Sequence, residues 1–242
     1  MAQPTPLPTP ISAHQPPTAR RQARSLRGAG SAPAPALWDV FAEPGGMAPA
    51  TGFVLSRITD RPGAILWVQD RLSRLEVGAP CVHGLRADLG ITRPLLMVQA
   101  SRPLDVLWAL EEGLRCTALA CVIGEIWGDP KALDFTATKR LHLRAETNGV
   151  PVFLLRNAAT ANLSAARERW RIAPRPSAPN ADDTRAPGDP RWQLSLFKSR
   201  HQQPADWEGQ HDHTTHRLHL AAPPSDGALA AGGQTRTAIA AG

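Results

Sequence analysis

The stretch Leu119-Ala120-Cys121-Val122-Ile123 is a short, uninterrupted apolar run that ends at a glycine. Runs of this length, bounded by turn residues, are typical of β-strands that are covered on both faces. Three further runs of the same kind occur, at Ala64–Gln69, Leu95–Ala100 and Val150–Leu155. Because such strands belong to parallel sheets, the four runs indicate a sheet buried between helices.

Helical patterns lie between these runs. Apolar residues at helical spacing predict helices over Thr51–Thr59, Leu104–Leu114 and Leu133–Asn148. Pro103 suits the first turn of the second helix, and Gly149 suits the end of the third. Alternating strands and helices predict an α/β fold with a mostly parallel sheet and flanking helices.

The pattern changes after Asn157, where apolar and polar residues alternate with a period of two. This alternation predicts antiparallel strands that extend the sheet and keep one face in water. We expect these strands over Arg167–Ile172, Arg191–Lys198 and His216–Leu220.

Three parts of the chain are poor in large apolar residues. Residues 1–36, rich in Pro, Ala and Arg, are expected to form a disordered arm, and residues 223–242 a disordered tail. Residues 174–190 are expected to form an exposed loop, because they are dense in proline. The remaining residues, 37–222, are expected to form one domain.

The 242 residues carry a formal net charge of +6, which favours an acidic partner such as nucleic acid. Nearly all of the positive charge is arginine, which a GC-rich genome also produces without selection for binding. Four arginines in the arm are candidate DNA contacts: Arg20, Arg21, Arg24 and Arg27. The alternative is that the arm is a solvated tail.

Cysteine usage and hydropathy indicate a cytoplasmic protein without membrane contact. Cys81, Cys116 and Cys121 form no C-x-x-C pair, and we interpret them as small buried hydrophobic residues in a reducing compartment. No window approaches the roughly 18 apolar residues of a membrane span. The N-terminus lacks the apolar core of a secretory signal.

The glycine-rich stretch Pro44-Gly45-Gly46-Met47-Ala48-Pro49-Ala50-Thr51-Gly52 contains no cation. In a loop of the form Gly-x-x-x-x-Gly-Lys-Ser/Thr, backbone N–H groups and one lysine hold the phosphates of a nucleotide. The glycines here can still turn N–H groups toward an anion. A bound triphosphate would nevertheless lack a major compensating charge.

Four segments carry a resemblance to the RecA-type ATPase core, and more closely to the inducible mutagenesis protein A family: Ala50–Phe53, Ala120–Gly128, Ser164–Ile172 and Arg191–Leu196. The likeness spans roughly residues 37–220. It implies a RecA-like fold and a role in the SOS response to DNA damage, in support of error-prone translesion synthesis. The implied partners are a Y-family-polymerase-like protein and an error-prone replicative polymerase, together with the RecA-type recombinase.

The resemblance implies a relic nucleotide site at Gly45, Gly46, Thr51 and Glu125. Thr51 is either the hydroxyl that would bind Mg²⁺ or, as threonine at a helix start commonly is, an N-cap. Glu125 lies one residue beyond the position expected for the Mg²⁺-orienting aspartate. It either reaches the crevice at the end of the sheet or pairs with an arginine such as Arg156.

The connections that carry DNA-binding loops in recombinases are short in this chain, at Trp127–Ala132 and Arg156–Ser164. The second contains a single cation, Arg156, which is a candidate DNA contact. Because phosphate-dominated binding needs several cations, we expect DNA binding to be weak or indirect.

Histidines and tryptophans complete the set of candidate functional residues. The histidine-rich segment over His211–His219 predicts a polar hairpin turn at Asp212–Thr214 and no metal site, because His216 and His219 would point to opposite faces of a strand. The tryptophans beside loops are candidate interface anchors: Trp127, Trp192 and Trp207. Among the other tryptophans, Trp67, Trp108 and Trp170 are expected in the core.

The absent lysine, the displaced carboxylate and the short loops together predict a non-catalytic adaptor, cytoplasmic and associated with the nucleoid when active. No residue is assigned a catalytic role, and no cofactor is predicted. One alternative is a weak or partner-activated ATPase that uses ATP and Mg²⁺, with a cation from another subunit in place of the lysine. The other is an accessory protein that binds DNA through the arm.

Overall fold

The computed structural model describes residues 36–58, 61–180, 182–183 and 185–221, together with the backbone of residues 24–25. The helices are α1 (Met47–Ser56), α2 (Arg71–Val77), α3 (Val82–Leu89), α4 (Pro103–Gly113) and α5 (Phe135–Asn148). The strands are β1 (Arg24–Ser25), β2 (Leu37–Ala42), β3 (Ile65–Asp70), β4 (Leu95–Ala100), β5 (Cys121–Trp127), β6 (Val152–Asn157), β7 (Glu168–Arg175), β8 (Arg191–Ser199), β9 (Ala205–Asp212) and β10 (Arg217–Ala221).

Parts of the predicted arm and tail lie outside the described residues. They include Arg20, Arg21, Arg27, the side chain of Arg24 and residues 223–242. Along the described ranges, no helix combines the length and the apolar character that crossing a bilayer requires.

All ten strands form one sheet in the order β1-β10-β9-β8-β7-β2-β6-β5-β3-β4. The six strands from β7 to β4 are parallel. Strands β8, β9 and β10 and the two-residue β1 are added antiparallel to one another. The predicted fold class, a mostly parallel sheet with flanking helices and a C-terminal antiparallel extension, is confirmed.

Each face of the sheet has its own hydrophobic core. On one face α1 packs through Phe53, whose ring centroid lies 4.8 Å from that of Trp170 in β7. On the other face α4 and α5 contribute Leu107 and Leu141 to a core with Val122 of β5. The inner strands β3, β5 and β6 are therefore covered on both faces, which explains why their apolar runs are continuous. The expectation that the Leu95–Ala100 run is covered on both faces is wrong, because β4 is the edge strand and Leu96 and Val98 are exposed.

Helix α1 begins at Met47, so Thr51 lies one turn inside the helix and the interpretation of Thr51 as an N-cap is wrong. The N-cap is Gly46, which has no side chain to bond the first-turn amides. The helix extends further toward its N-terminus than the sequence pattern predicts because Met47 packs against the core beneath it. Thr51 consequently lies within the helix, where its side chain is largely buried.

The sequence pattern does not predict four of the observed elements: β2, α2, α3 and β9. In β2 the apolar run is broken by Asp39, which is fully buried because two arginines compensate it. In α2 the leucines Leu72 and Leu75 are exposed, so no apolar stripe marks the helix. Strand β7 was expected to be antiparallel; it is antiparallel to β8 but parallel to β2.

Some burial predictions are wrong. Cys121 is buried as expected, but Cys81 and Cys116 are exposed. Cys81 is the N-cap of α3, where its sulfur accepts a hydrogen bond from the Gly84 amide. Trp108 is 67% exposed on α4, since this side of the helix faces away from the sheet. Trp67 and Trp170 are core residues, as predicted.

Candidate functional site

A cleft of about 1180 Å³ opens at the carboxyl ends of β2, β5 and β6. In open α/β sheets, ligands bind outside the carboxyl ends of the strands, where neighbouring connections leave toward opposite faces. Here α1 follows β2 onto one face, whereas α5 follows β5 onto the other. The structure brings all four residues of the predicted relic site to this cleft: Gly45, Gly46, Thr51 and Glu125.

The turn between β2 and α1 forms one wall of the cleft. Gly45 has a φ of 72°, and the Gly46 amide donates to the Glu43 carbonyl at 2.7 Å. A Cβ on Gly46 would lie 2.7 Å from the carbonyl oxygens of Glu43 and Ile172, so only glycine fits there. The Glu43 amide also donates to the Ile172 carbonyl at 2.9 Å, which ties the turn to β7.

Helix α1 presents an uncapped N-terminus at this wall. Gly46 offers no capping side chain, and the first turn contains no acidic residue. Pro49 has no N–H to offer. Among the first-turn amides, those of Met47 and Ala48 lack an intrahelical acceptor. No carboxylate of the first turn therefore compensates the positive end of the helix dipole.

Glu125 is fully buried on β5 and lines the cleft. Its Oε2 accepts a hydrogen bond from Trp67 Nε1 at 3.1 Å, and its Oε1 accepts one from Gln69 Nε2 at 3.1 Å. Burial raises the pKa of this carboxyl to about 7, against the lowering effect of these two donors. Of the two predicted alternatives, Glu125 reaches the crevice and does not pair with Arg156.

Arg156 belongs to a separate, buried ionic cluster. Its Nη2 donates to Asp129 Oδ1 at 3.0 Å and to the Gly128 carbonyl at 2.9 Å. Its Nη1 lies 4.0 Å from Asp39 Oδ1, and Asp39 Oδ2 lies 3.2 Å from Arg169 Nη2. Because the Arg156 guanidinium is buried and its charge is compensated, it is not presented for a DNA contact in this structure.

The three tryptophans that were candidate interface anchors occupy different environments. Trp192 is 5% exposed, and its ring packs so closely on α1 that a Cβ on Gly52 would lie 2.3 Å from Cη2. Trp207 packs against Trp170 at a centroid distance of 5.5 Å. Trp127 is half-buried and lines the cleft. Trp192 and Trp207 therefore serve the core.

Three arginines that sequence reasoning did not place in the site line the same cleft: Arg171, Arg175 and Arg191. They belong to β7 and β8, far along the chain from the glycine-rich turn, so no local spacing connects them to it. Gly52 was also missed as a packing position, because only the neighbouring Trp192 ring makes its lack of a side chain necessary.

The histidine-rich segment forms the turn between β9 and β10, with a turn over residues 213–216. His213 Nδ1 lies 2.6 Å from Asp189 Oδ1, whereas His211 is buried beside Trp192. Within the described ranges, no three His, Cys, Asp or Glu side chains converge as a metal site would require.

The fold and the cleft define a class of protein: an α/β domain with a ligand cleft at the ends of its parallel strands, but with no cation in the turn that opens its first helix. The chain is 34% identical over 188 residues to Protein ImuA from two strains of Caulobacter vibrioides, and this alignment covers 72% of each chain. The chain belongs to the ImuA family, as the resemblance predicts. No protein-family model matches it.

Proposed function

We propose that this protein is a non-catalytic adaptor of the DNA-damage-inducible mutagenesis pathway. Membership of the ImuA family supports the pathway. In this role it binds a Y-family-polymerase-like protein and an error-prone replicative polymerase, and it contacts the RecA-type recombinase. Any contribution to DNA binding is indirect, and the protein works in the cytoplasm at the nucleoid.

The burial and the hydrogen bonds of Glu125 are the main observation in favour of a non-catalytic role. A carboxylate that orients Mg²⁺ or activates water must present a charged oxygen to the ligand. Glu125 is fully buried, and each of its oxygens accepts from a neutral side chain. Together with the turn that lacks lysine, this carboxyl favours binding over turnover.

An exposed apolar patch supports the adaptor part. Among the described residues, β4 is paired on one side only. Leu96 and Val98 of β4 are 50% and 38% exposed. Leu104 and Trp108, one helical turn apart on α4, are 54% and 67% exposed. Clustered apolar side chains beside an open strand edge are typical of protein-binding surfaces.

The adaptor proposal is tested by co-purification of the full chain with the polymerase-like partner of the same pathway. Replacing an exposed aromatic anchor weakens a typical interface by about tenfold or more, so Trp108→Asp should abolish co-purification. Leu163→Asp is the matched control, because Leu163 is 71% exposed but lies in the β6–β7 connection. Loss of the partner with both variants or with neither would contradict this surface.

A steady-state ATPase assay tests the non-catalytic part, both for the protein alone and with its partner. We expect no hydrolysis above the level of a Glu125→Gln variant. Hydrolysis that this substitution abolishes would establish a catalytic role and overturn the proposal.

A further inference from the structure

We propose that two copies of this chain associate edge to edge, with β4 of each copy paired antiparallel to β4 of the other about a twofold axis. The ten-stranded sheet of one copy then continues into the sheet of the second. This inference concerns self-association and does not depend on the adaptor role. Trp108 faces away from the sheet on α4, so the strand pairing leaves it exposed for a different protein.

The two ends of the sheet differ in how they are protected. At one end, β10 carries Arg217 and His219 and is paired on its outer side with the two-residue β1. At the other end, β4 pairs with β3 in unbroken register over Leu95–Ala100, and its outer side has no partner among the described residues. This strand contains no charged residue and no proline. Charges, prolines and bulges keep strand edges from pairing, so β4 is open to pairing with another strand.

The backbone of β4 has hydrogen-bonding groups on its outer side. The Pro94 carbonyl accepts a hydrogen bond from the Ile65 amide of β3 at 2.9 Å. Because the backbone groups of successive residues point to opposite sides of a strand, the even-numbered residues of β4 bond to β3. The odd-numbered residues, Leu95, Met97 and Gln99, therefore direct their N–H and C=O groups outward. An antiparallel strand in the correct register would bond all three.

A twofold axis at Met97 gives a register that matches apolar side chains. In this register Leu96 of one copy lies opposite Val98 of the other, and the two are 50% and 38% exposed in the single chain. Ala100, on the same side of β4, packs against the core beneath α4. Leu96 and Val98 would form a non-hydrogen-bonded pair, in which opposite side chains lie closest together. Each apolar side chain would therefore cover the other, which stabilises a strand pair.

The same register keeps like charges apart beyond the ends of β4. Arg93 would lie opposite Ser101 of the second copy, and Arg102 opposite Thr92 of the second copy. Like charges directly opposite each other destabilise a strand pair, and these positions oppose none. A twofold interface uses the same surface of both copies, so that surface must be complementary to itself. The reciprocal match of apolar residues and the separation of the arginines meet this condition.

Sedimentation velocity of the full chain, from low micromolar to submillimolar concentration, tests the association. We expect a reversible equilibrium between monomer and dimer without larger species, because a twofold interface closes on itself. Trp108→Asp should leave this equilibrium unchanged.

Gln99→Pro tests the backbone pairing, since it removes an outward N–H group from each copy. Proline is tolerated in edge strands where the N–H group faces solvent. Two lost hydrogen bonds should weaken dimerisation about tenfold or more. Gln99→Thr is the matched control, because it changes the same exposed side chain but keeps the N–H group. It should dimerise as the unaltered chain does, and thermal melting shows whether each variant is folded.

Disulfide trapping tests the register without weakening the pair. The Cα atoms of a non-hydrogen-bonded pair lie about 4.5 Å apart, which a disulfide can bridge. The double variant Leu96→Cys/Val98→Cys should therefore form a covalent dimer on mild oxidation. Leu96→Cys alone would face Val98 of the second copy. It should cross-link no more than the unaltered chain, in which Cys81 and Cys116 are also exposed.

Four results would each overturn the proposal. They are a monomer at every concentration, growth into species larger than a dimer, equal dimerisation of the unaltered chain and a folded Gln99→Pro variant, and a cross-linked yield in the double variant no higher than in Leu96→Cys. A monomeric chain that still co-purifies with a polymerase partner would leave the adaptor proposal standing, so the two proposals fail separately.

Discussion

Two buried carboxylates, Glu125 and Asp39, lie on neighbouring parts of the same sheet in opposite electrostatic environments. Both are fully buried, and burial raises the pKa of each. Asp39 is compensated by the guanidinium groups of Arg156 and Arg169, whereas Glu125 has only neutral donors from Trp67 and Gln69. The first arrangement holds strands together, and the second leaves a titratable group at the wall of a cleft.

The comparison shows which buried charge is structural. Arg169 and Asp39 join β7 to β2, and the Arg169 guanidinium lies 5.3 Å from the ring centroid of Phe41. Every charge in this cluster has a partner of opposite sign. Glu125 has none, so burial, together with the nearby charge of Asp70, raises its pKa.

The largest effect is expected from breaking the Asp39 cluster. Asp39→Ala leaves two buried guanidinium groups with less compensation, and removing one partner of a buried ion pair costs about 3–5 kcal/mol. Urea unfolding should show a loss of this size. Asp105→Ala breaks the exposed pair with Arg102 and should lower the free energy of unfolding far less, because water screens that pair. Equal losses in the free energy of unfolding from Asp39→Ala and Asp105→Ala would show that the buried ion pairs of Asp39 stabilise the fold no more than an exposed pair does.

The next effect concerns Glu125 and pH. Its pKa rises from 4.5 in the unfolded chain to about 7 in the fold, so the folded state holds a proton that the unfolded state has lost. The free energy of unfolding should therefore fall as pH rises from 4.5 to 7, by about 3 kcal/mol, and level off above.

Glu125→Gln should abolish most of that fall, making the variant more stable than the unaltered chain at pH 8 but not at pH 4.5. Urea unfolding across this pH range measures it. Glu112→Gln, at an exposed position beside Arg115, should keep the original slope. If the free energy of unfolding of the Glu125→Gln variant depends on pH as that of the unaltered chain does, Glu125 is not the group with the raised pKa.

A smaller effect is expected where α1 meets β8 below the cleft. Gly52→Ala would place a Cβ 2.3 Å from the Trp192 ring. Overpacking of this kind should lower the free energy of unfolding by about 1–3 kcal/mol. Gly84→Ala in α3 is the matched control, because its nearest neighbour would be 3.6 Å away. That change should stabilise by about 0.5–1 kcal/mol. If the melting temperatures of the Gly52→Ala and Gly84→Ala variants shift in the same direction, Gly52 is not required for packing against Trp192.

The smallest effect is expected at the exposed patch. Trp108 is 67% exposed, so Trp108→Ala should change the free energy of unfolding by about 0.5 kcal/mol or less. A loss of 2 kcal/mol would mean that this side chain supports the fold of the isolated chain. A small change at Trp108, against the large loss at Asp39, would separate residues that hold the sheet together from residues exposed for a partner.

Strands β3, β4, β5 and β6 were predictable because each one is a continuous apolar run, and β4 was predicted over the residues it occupies. Strand β2 was missed because Asp39 interrupts its run, and nothing near Asp39 in the chain reveals that Arg169 compensates it 130 residues later. The residues of the relic site were predicted to lie together and do so. The environments of these residues were not predictable: Thr51, for example, lies within α1 and not at its N-cap.

By itself, the sequence determined the alternation of strands and helices, the family, and the absence of a cation from the glycine turn. These depend on residues that are close along the chain. Only the tertiary structure decided that Glu125 is buried among neutral donors, that Asp39 is neutralised by arginines, and that Arg175 and Arg191 stand beside the turn. Those features depend on strands that meet across the sheet, and a side chain's charge state depends on what surrounds it in space.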